Sequence, residues 1–165
     1  MDLVLNGASL IYDATAESGV SHFLSVAAKQ RGIPFISLYG TPGVWGGTVI
    51  RVAPAKTKGC WMCFQYALRD GLIPHPPSDI NGNIQAAGCG DISFTGTSFE
   101  LGDIVNQGVC MAVSTLCAPE GGYPELNGDI GVLSLVDDHA NPVFPRRSGH
   151  QLTIHPGCPY CKQTS

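Results

Sequence analysis

The sequence predicts an α/β domain: part of a doubly wound sheet that passes into antiparallel strands toward the carboxyl end. Two observations lead there. Residues 10–39 read strand, helix, strand, the order of a parallel crossover unit. Two further strand-like runs, at 130–136 and 151–154, come late in the chain. The 165 residues fit one domain, and 1–165 is read as a single unit.

Taken in order, Leu10-Ile11-Tyr12 is a short buried strand, with Asp13-Ala14-Thr15-Ala16 at its carboxyl end. Ser18 to Arg31 repeats apolar Val20, Phe23, Leu24 and Ala27 at helical spacing, and Gly32 and Pro34 stop it. Residues 34–39 form a second strand. Val49 to Val52 is strand-like up to Pro54, and a short helix is expected from Met62 to Arg69. Residues 70–90, rich in Pro, Gly, Asn and Asp, read as a long loop. Thr97-Ser98-Phe99-Glu100 fits a capping box, in which each side chain serves the other's backbone amide. It opens the strongest helix, with Ile104, Val105, Gly108, Met111, Ala112, Thr115 and Leu116 as its apolar stripe. Ile130 to Val136 and Gln151 to Ile154 follow as antiparallel strands.

Composition narrows the function. The chain is 44% hydrophobic but only 13% charged, about half the usual share, so much of its surface is uncharged or covered. A net charge of -4 gives no basic footprint for nucleic acid. No apolar run reaches the roughly 20 residues that span a bilayer, and the first residues lack a signal peptide's pattern, so the expected location is cytoplasmic. Seven cysteines in a reducing compartment point to metal or catalysis rather than disulfides.

Four of them form two C-x-x-C pairs, Cys60/Cys63 and Cys158/Cys161, with 94 residues between the pairs. Two such knuckles are what a tetrahedral thiolate zinc site requires, and with four protein ligands the site would be structural. The alternative is two unrelated pairs, redox-active or free. Cys110 and Cys117, seven residues apart on the long helix, read as packing residues. Arg51 on its strand is expected to pair with an acid, and Asp137-Asp138 to be a solvated turn. The five histidines show no ligand spacing among themselves. His155, three residues before Cys158, is either a neighbour of the metal site or solvent-facing.

With these residues in view, the chain resembles the ThiF/MoeB/HesA family of ubiquitin-activating-enzyme-like proteins, nearest to its bacterial members. Asp13-Ala14-Thr15-Ala16 resembles the family's aspartate motif. Gly46 to Pro54 followed by Gly59-Cys60-Trp61-Met62-Cys63 is similar to the segment leading into its first zinc knuckle, and Cys158 to Cys161 falls where the second is expected. The ordered set covers most of the chain.

The resemblance implies a Rossmann-like sheet. It also implies an ATP-dependent activity in which the carboxyl terminus of a ubiquitin-like or sulfur-carrier protein is adenylated and then taken by a sulfur nucleophile. It implies Asp13 as the ligand of ATP-bound magnesium. Cys89, in Ala86-Ala87-Gly88-Cys89-Gly90-Asp91, would be the acceptor thiol, with flanking glycines that leave room for a carrier's tail.

The family's glycine-rich loop, ribose-binding acid and triphosphate-neutralising basic residues precede its aspartate motif and do not occur in this chain. Ala16 and Glu17 stand where the family has an acid and an asparagine. The chain is therefore expected to be the carboxyl-terminal half of an activating domain, inactive in adenylation alone, and to associate with an amino-terminal half or with a second copy. Two other readings remain at this point: a non-catalytic zinc-stabilised interaction module, and a stand-alone thiol or redox protein using Cys89.

Overall fold

A computed structural model describes residues 5–85, 92–94, 96–118 and 120–161. Strand β1 (Ile11–Asp13) leads into helix α1 (Ser18–Arg31), and strand β2 (Phe35–Gly40) returns parallel to β1. Gly32 ends α1 in the left-handed conformation at φ 66°, which glycine adopts without steric cost, and Lys29 and Arg31 sit at the negative end of the helix dipole.

Beyond β2 the sheet departs from the doubly wound expectation. A 3-10 turn (Pro42–Val44) is the only element between β2 and strand β3 (Gly46–Val52), so the connection is too short for a crossover and β3 pairs antiparallel to β2. Helix α2 (Trp61–Arg69) follows. Strands β4 (Asn83–Gln85) and β5 (Ile92–Phe94) then form a separate antiparallel hairpin inside and just beyond the run read as a loop.

Helix α3 (Ser98–Cys117) starts at the expected capping box: Glu100 N–H donates to Thr97 Oγ1 at 3.3 Å, and Thr97 N–H to Glu100 Oε2 at 2.9 Å. Strand β6 (Ile130–Val136) pairs antiparallel with β3 and with strand β7 (Pro142–His150). The five-stranded order is β1-β2-β3-β6-β7. The late strand is thus 142–150 rather than 151–154. The Asp137–Asn141 turn sets its register: Asp137 Oδ1 accepts from the amides of His139 and Asn141, both at 2.9 Å, and the chain folds straight back on β6. Residues 151–154 instead run outside the sheet.

The sheet separates two cores. One face carries α1 and α2, with Phe35, Ile50, Trp61, Phe64, Ile130 and Leu152 buried together with Cys63, Cys158 and Cys161. The other carries α3, whose Ile104 and Met111 pack on Ile36, Leu38, Val49 and Leu133. Central β3 is buried along its whole length, including the polar Thr48 and Arg51. Among the described residues no helix is long and apolar enough to cross a membrane.

Candidate metal centre and its surroundings

Cys60 occupies the residue just before α2 and Cys63 lies in its first turn, so the helix fixes one pair. The other pair follows the His155-Pro156-Gly157 turn, in which Cys158 N–H donates to His155 O at 2.9 Å. All four sulfurs lie within 4.8 Å of one another. Cys60 to Cys63 is 3.8 Å, Cys60 to Cys158 3.6 Å and Cys63 to Cys161 3.6 Å. These separations are far beyond a disulfide's roughly 2.05 Å. They match the S···S edge of about 3.8 Å that a tetrahedron with Zn–S bonds near 2.3 Å requires. The sequence-predicted ligands are therefore brought together, and the set could hold a metal such as zinc.

The electrostatics agree. Burial pushes the Cys60 and Cys161 thiols up, and the neighbouring sulfurs push Cys161 further. Cys63 is also raised by burial, but hydrogen bonds with the backbone of Cys60 and His155 outweigh this and leave it below the ordinary thiol value. Four thiolates in one buried cluster repel one another; a divalent cation is what makes them jointly tolerable.

His155 borders this site and is buried. Its Nδ1 accepts Gly157 N–H at 3.0 Å, so in the neutral ring Nε2–H donates to Asp70 Oδ2, also at 3.0 Å. The ring stacks on Tyr66 of α2 at 5.4 Å. Of the two placements open from sequence, it takes the one beside the four cysteines. A second tie lies deeper. Arg51 and Asp129, both 3% exposed, form an ion pair at 3.2 Å. Sequence reading foresaw the arginine's need for an acid but not which acid, because Asp129 is 78 residues away.

Asp13 sits at the end of β1, 2% exposed, on the same sheet face as the cysteines. Oδ1 accepts Thr15 N–H at 3.0 Å and Thr15 Oγ1–H at 2.7 Å; Oδ2 accepts Ser21 Oγ–H at 2.5 Å and Ser37 Oγ–H at 3.3 Å. Burial raises this carboxyl, but the donors from Ser21, Thr15 and Ser37 outweigh it and hold it below the usual carboxylate range. A crevice of about 230 Å³, lined by Ser21, Ser37, Tyr39, Trp61 and Gln65 among others, adjoins it.

Cys89 lies outside the described residues, among the six that join Gln85 to its partner Ile92. The feet of that hairpin are described, and both rest on the 3-10 turn. A Cβ on Gly82 would lie 2.6 Å from Gly43 N, and one on Gly96 would overlap Val44 Cγ2. Val44 itself holds φ 50°, a left-handed conformation that costs a β-branched residue about 1–3 kcal/mol. Cys110 is half-buried and Cys117 exposed, so the packing expectation fails for Cys117, which falls at the outer end of α3.

No protein-family model matches the chain. Among curated proteins it is 33% identical over 124 residues to the uncharacterized protein y4qC of Sinorhizobium fredii (strain NBRC 101917 / NGR234), covering 71% of this chain and 21% of that protein. It is 26% identical over 155 residues to y4oA of the same strain, covering 94% of this chain and 26% of that protein. The chain thus spans about a fifth to a quarter of the length of these relatives.

Among solved structures, E. coli MccB superposes over 97% of this chain and 42% of its own at a TM-score of 0.57 and 13% identity. MccB has also been crystallised with ATP and, separately, with MccA. PaaA superposes over 90% of this chain and 44% of its own, at 0.51 and 19%. At such identities the likeness establishes a shared fold.

Proposed function

We propose that this chain is the carboxyl-terminal part of an ATP-dependent activating enzyme of the ThiF/MoeB type, acting on the carboxyl terminus of a small protein or peptide. The observation that carries the reading is the shared fold with MccB along almost the whole chain, an enzyme crystallised with ATP and with the peptide MccA. In this reading zinc on Cys60, Cys63, Cys158 and Cys161 is structural. The partner's carboxylate oxygen attacks the α-phosphorus of ATP, and pyrophosphate leaves. The Cys89 thiolate then adds to the acyl carbon and AMP leaves, giving a thioester. Asp13 would be the residue that holds the magnesium bound to ATP, and the ion would supply charge neutralisation at the phosphates.

The phosphate cradle has to come from an amino-terminal half that completes a Rossmann-like sheet. Two features support its docking at β1. That strand is an edge of the sheet among the described residues. Beside it, Leu101, Val105, Val109 and Leu116 stay exposed along α3 together with Tyr12.

The test is ATP–pyrophosphate exchange driven by a carrier with a free carboxyl terminus. Exchange is expected only when an amino-terminal half bearing the glycine-rich loop is supplied, fused or in trans. Cys89→Ser should retain exchange and lose the thioester. A zinc-loaded, stably associated pair that shows no exchange overturns the reading. Exchange that survives Asp13→Asn unchanged assigns Asp13 to anchoring α1.

A further inference from the structure

The four sulfurs come from two stretches of chain, and something must hold those stretches at a fixed separation. Asp129 touches both. Its Oδ1 accepts Thr57 Oγ1–H at 2.9 Å, three residues before Cys60. Its Oδ2 accepts Leu152 N–H at 3.2 Å, six residues before Cys158. Arg51 supplies the countercharge through Nε and Nη2, at 3.3 and 3.2 Å from the same Oδ1. Between the carboxylate and the sulfurs the two runs touch directly: Gly59 N–H donates to Leu152 O at 2.9 Å, and a Cβ on Gly59 would lie 2.5 Å from Thr153 O.

We infer that Asp129 is the positioning residue of the four-cysteine site, setting the spacing of the two pairs by holding one approach on each carboxylate oxygen. The inference rests on the metal reading of the cysteines proposed above. An acceptor-only group is required, because both oxygens face donors; an asparagine amide would turn an N–H toward either Leu152 N–H or the Thr57 and Arg51 donors. The other tie, from Asp70 at the carboxyl end of α2 to His155, also joins the two runs, but it lies at the far end of the helix from Cys60 and its Asp70 side is exposed to solvent, so it adds less.

The test loads the full chain with cobalt(II), whose thiolate charge-transfer and d–d bands report the geometry of four sulfurs. Release to excess chelator is then timed. Asp129→Asn and Thr57→Val are expected to bind one cobalt with shifted bands and to release it about 10- to 100-fold faster than the unaltered chain. Asp137→Asn, in the distant turn, should behave as the unaltered chain. Thr57→Val leaves the Arg51 ion pair intact and decides the matter if Asp129→Asn does not fold.

Unshifted bands and an unchanged release rate in the folded variants overturn the inference. So does a variant that melts earlier without metal yet keeps the bands and the rate, since that is a structural role alone. An unaltered chain that binds no cobalt overturns the metal reading together with it. That outcome is distinct from equal rates, which leave the metal reading standing.

Discussion

On one face of the sheet, α1, α2 and the run into Cys158 close over Phe35, Ile50 and Leu152, and side-chain chemistry ties the layers together at the four cysteines, at Asp129 and at His155. On the other face a single helix covers Leu38, Val49 and Leu133, and its outward side shows Val105, Val109 and Leu116 beside the edge strand β1. The first face is completed by the chain's own cross-links. The second has apolar surface to spare. Under the docking proposed at β1, stability and association fall on opposite sides of one sheet, so mutations should separate them.

The largest break is expected at the closed face. Cys63→Ser removes one of the four buried sulfurs proposed to hold zinc, and with it the metal's contribution to folding, apparent values for structural zinc being on the order of 10 kcal/mol. Native mass spectrometry should show the zinc lost, and thermal unfolding a collapse of the transition. Next comes Arg51→Met, which strands the Asp129 carboxylate in the interior without its countercharge; denaturant unfolding should register about 3–5 kcal/mol lost.

The open face should respond the other way. Val105→Glu with Val109→Glu is expected to change unfolding by no more than about 0.5 kcal/mol per site, as substitutions at exposed positions usually do. Sedimentation velocity should nevertheless show association with an amino-terminal half, or with a second copy, abolished. Unchanged association would place the partner elsewhere and remove the contrast.

The smallest effect concerns Asp13. Its carboxyl is held below the ordinary value in the folded chain, so the stability it contributes is fully present above the unfolded value of about 3.9 and is lost as pH falls through the lower folded one. Asp13→Asn should flatten the acid limb of the stability profile below about pH 4. An acid limb identical in the two chains would refute that account.

How legible all this was in the sequence depended on range. The capping box at Thr97 and the stop at Gly32 are local, and both stand as read. The cysteine pairs lie far apart, but each announces itself by spacing. Strand β7 was hidden because Pro142, Pro145, Arg146 and Arg147 argue against a buried strand; it is an exposed edge, where such residues are tolerated. The β4–β5 hairpin has three-residue strands set among Gly and Asn, too short for periodicity to register. Asp129 could not be found from spacing at all. Its role arises only when β3 and β6 pair and the run at 152 is laid across them, and no local pattern encodes that meeting.

The long separation within the four-cysteine site bears on the order of folding. Cys60 and Cys158, like Cys63 and Cys161, are 98 positions apart in the chain. Closing a loop of that size in a random coil has an entropic cost that must be met before any contact repays it. An ion meeting the unfolded chain can therefore grip one pair readily but not both. Only once β3 and β6 have paired are the two grips delivered to one point. Zinc here should act as a late lock rather than a nucleus, its uptake trailing the formation of the sheet during refolding.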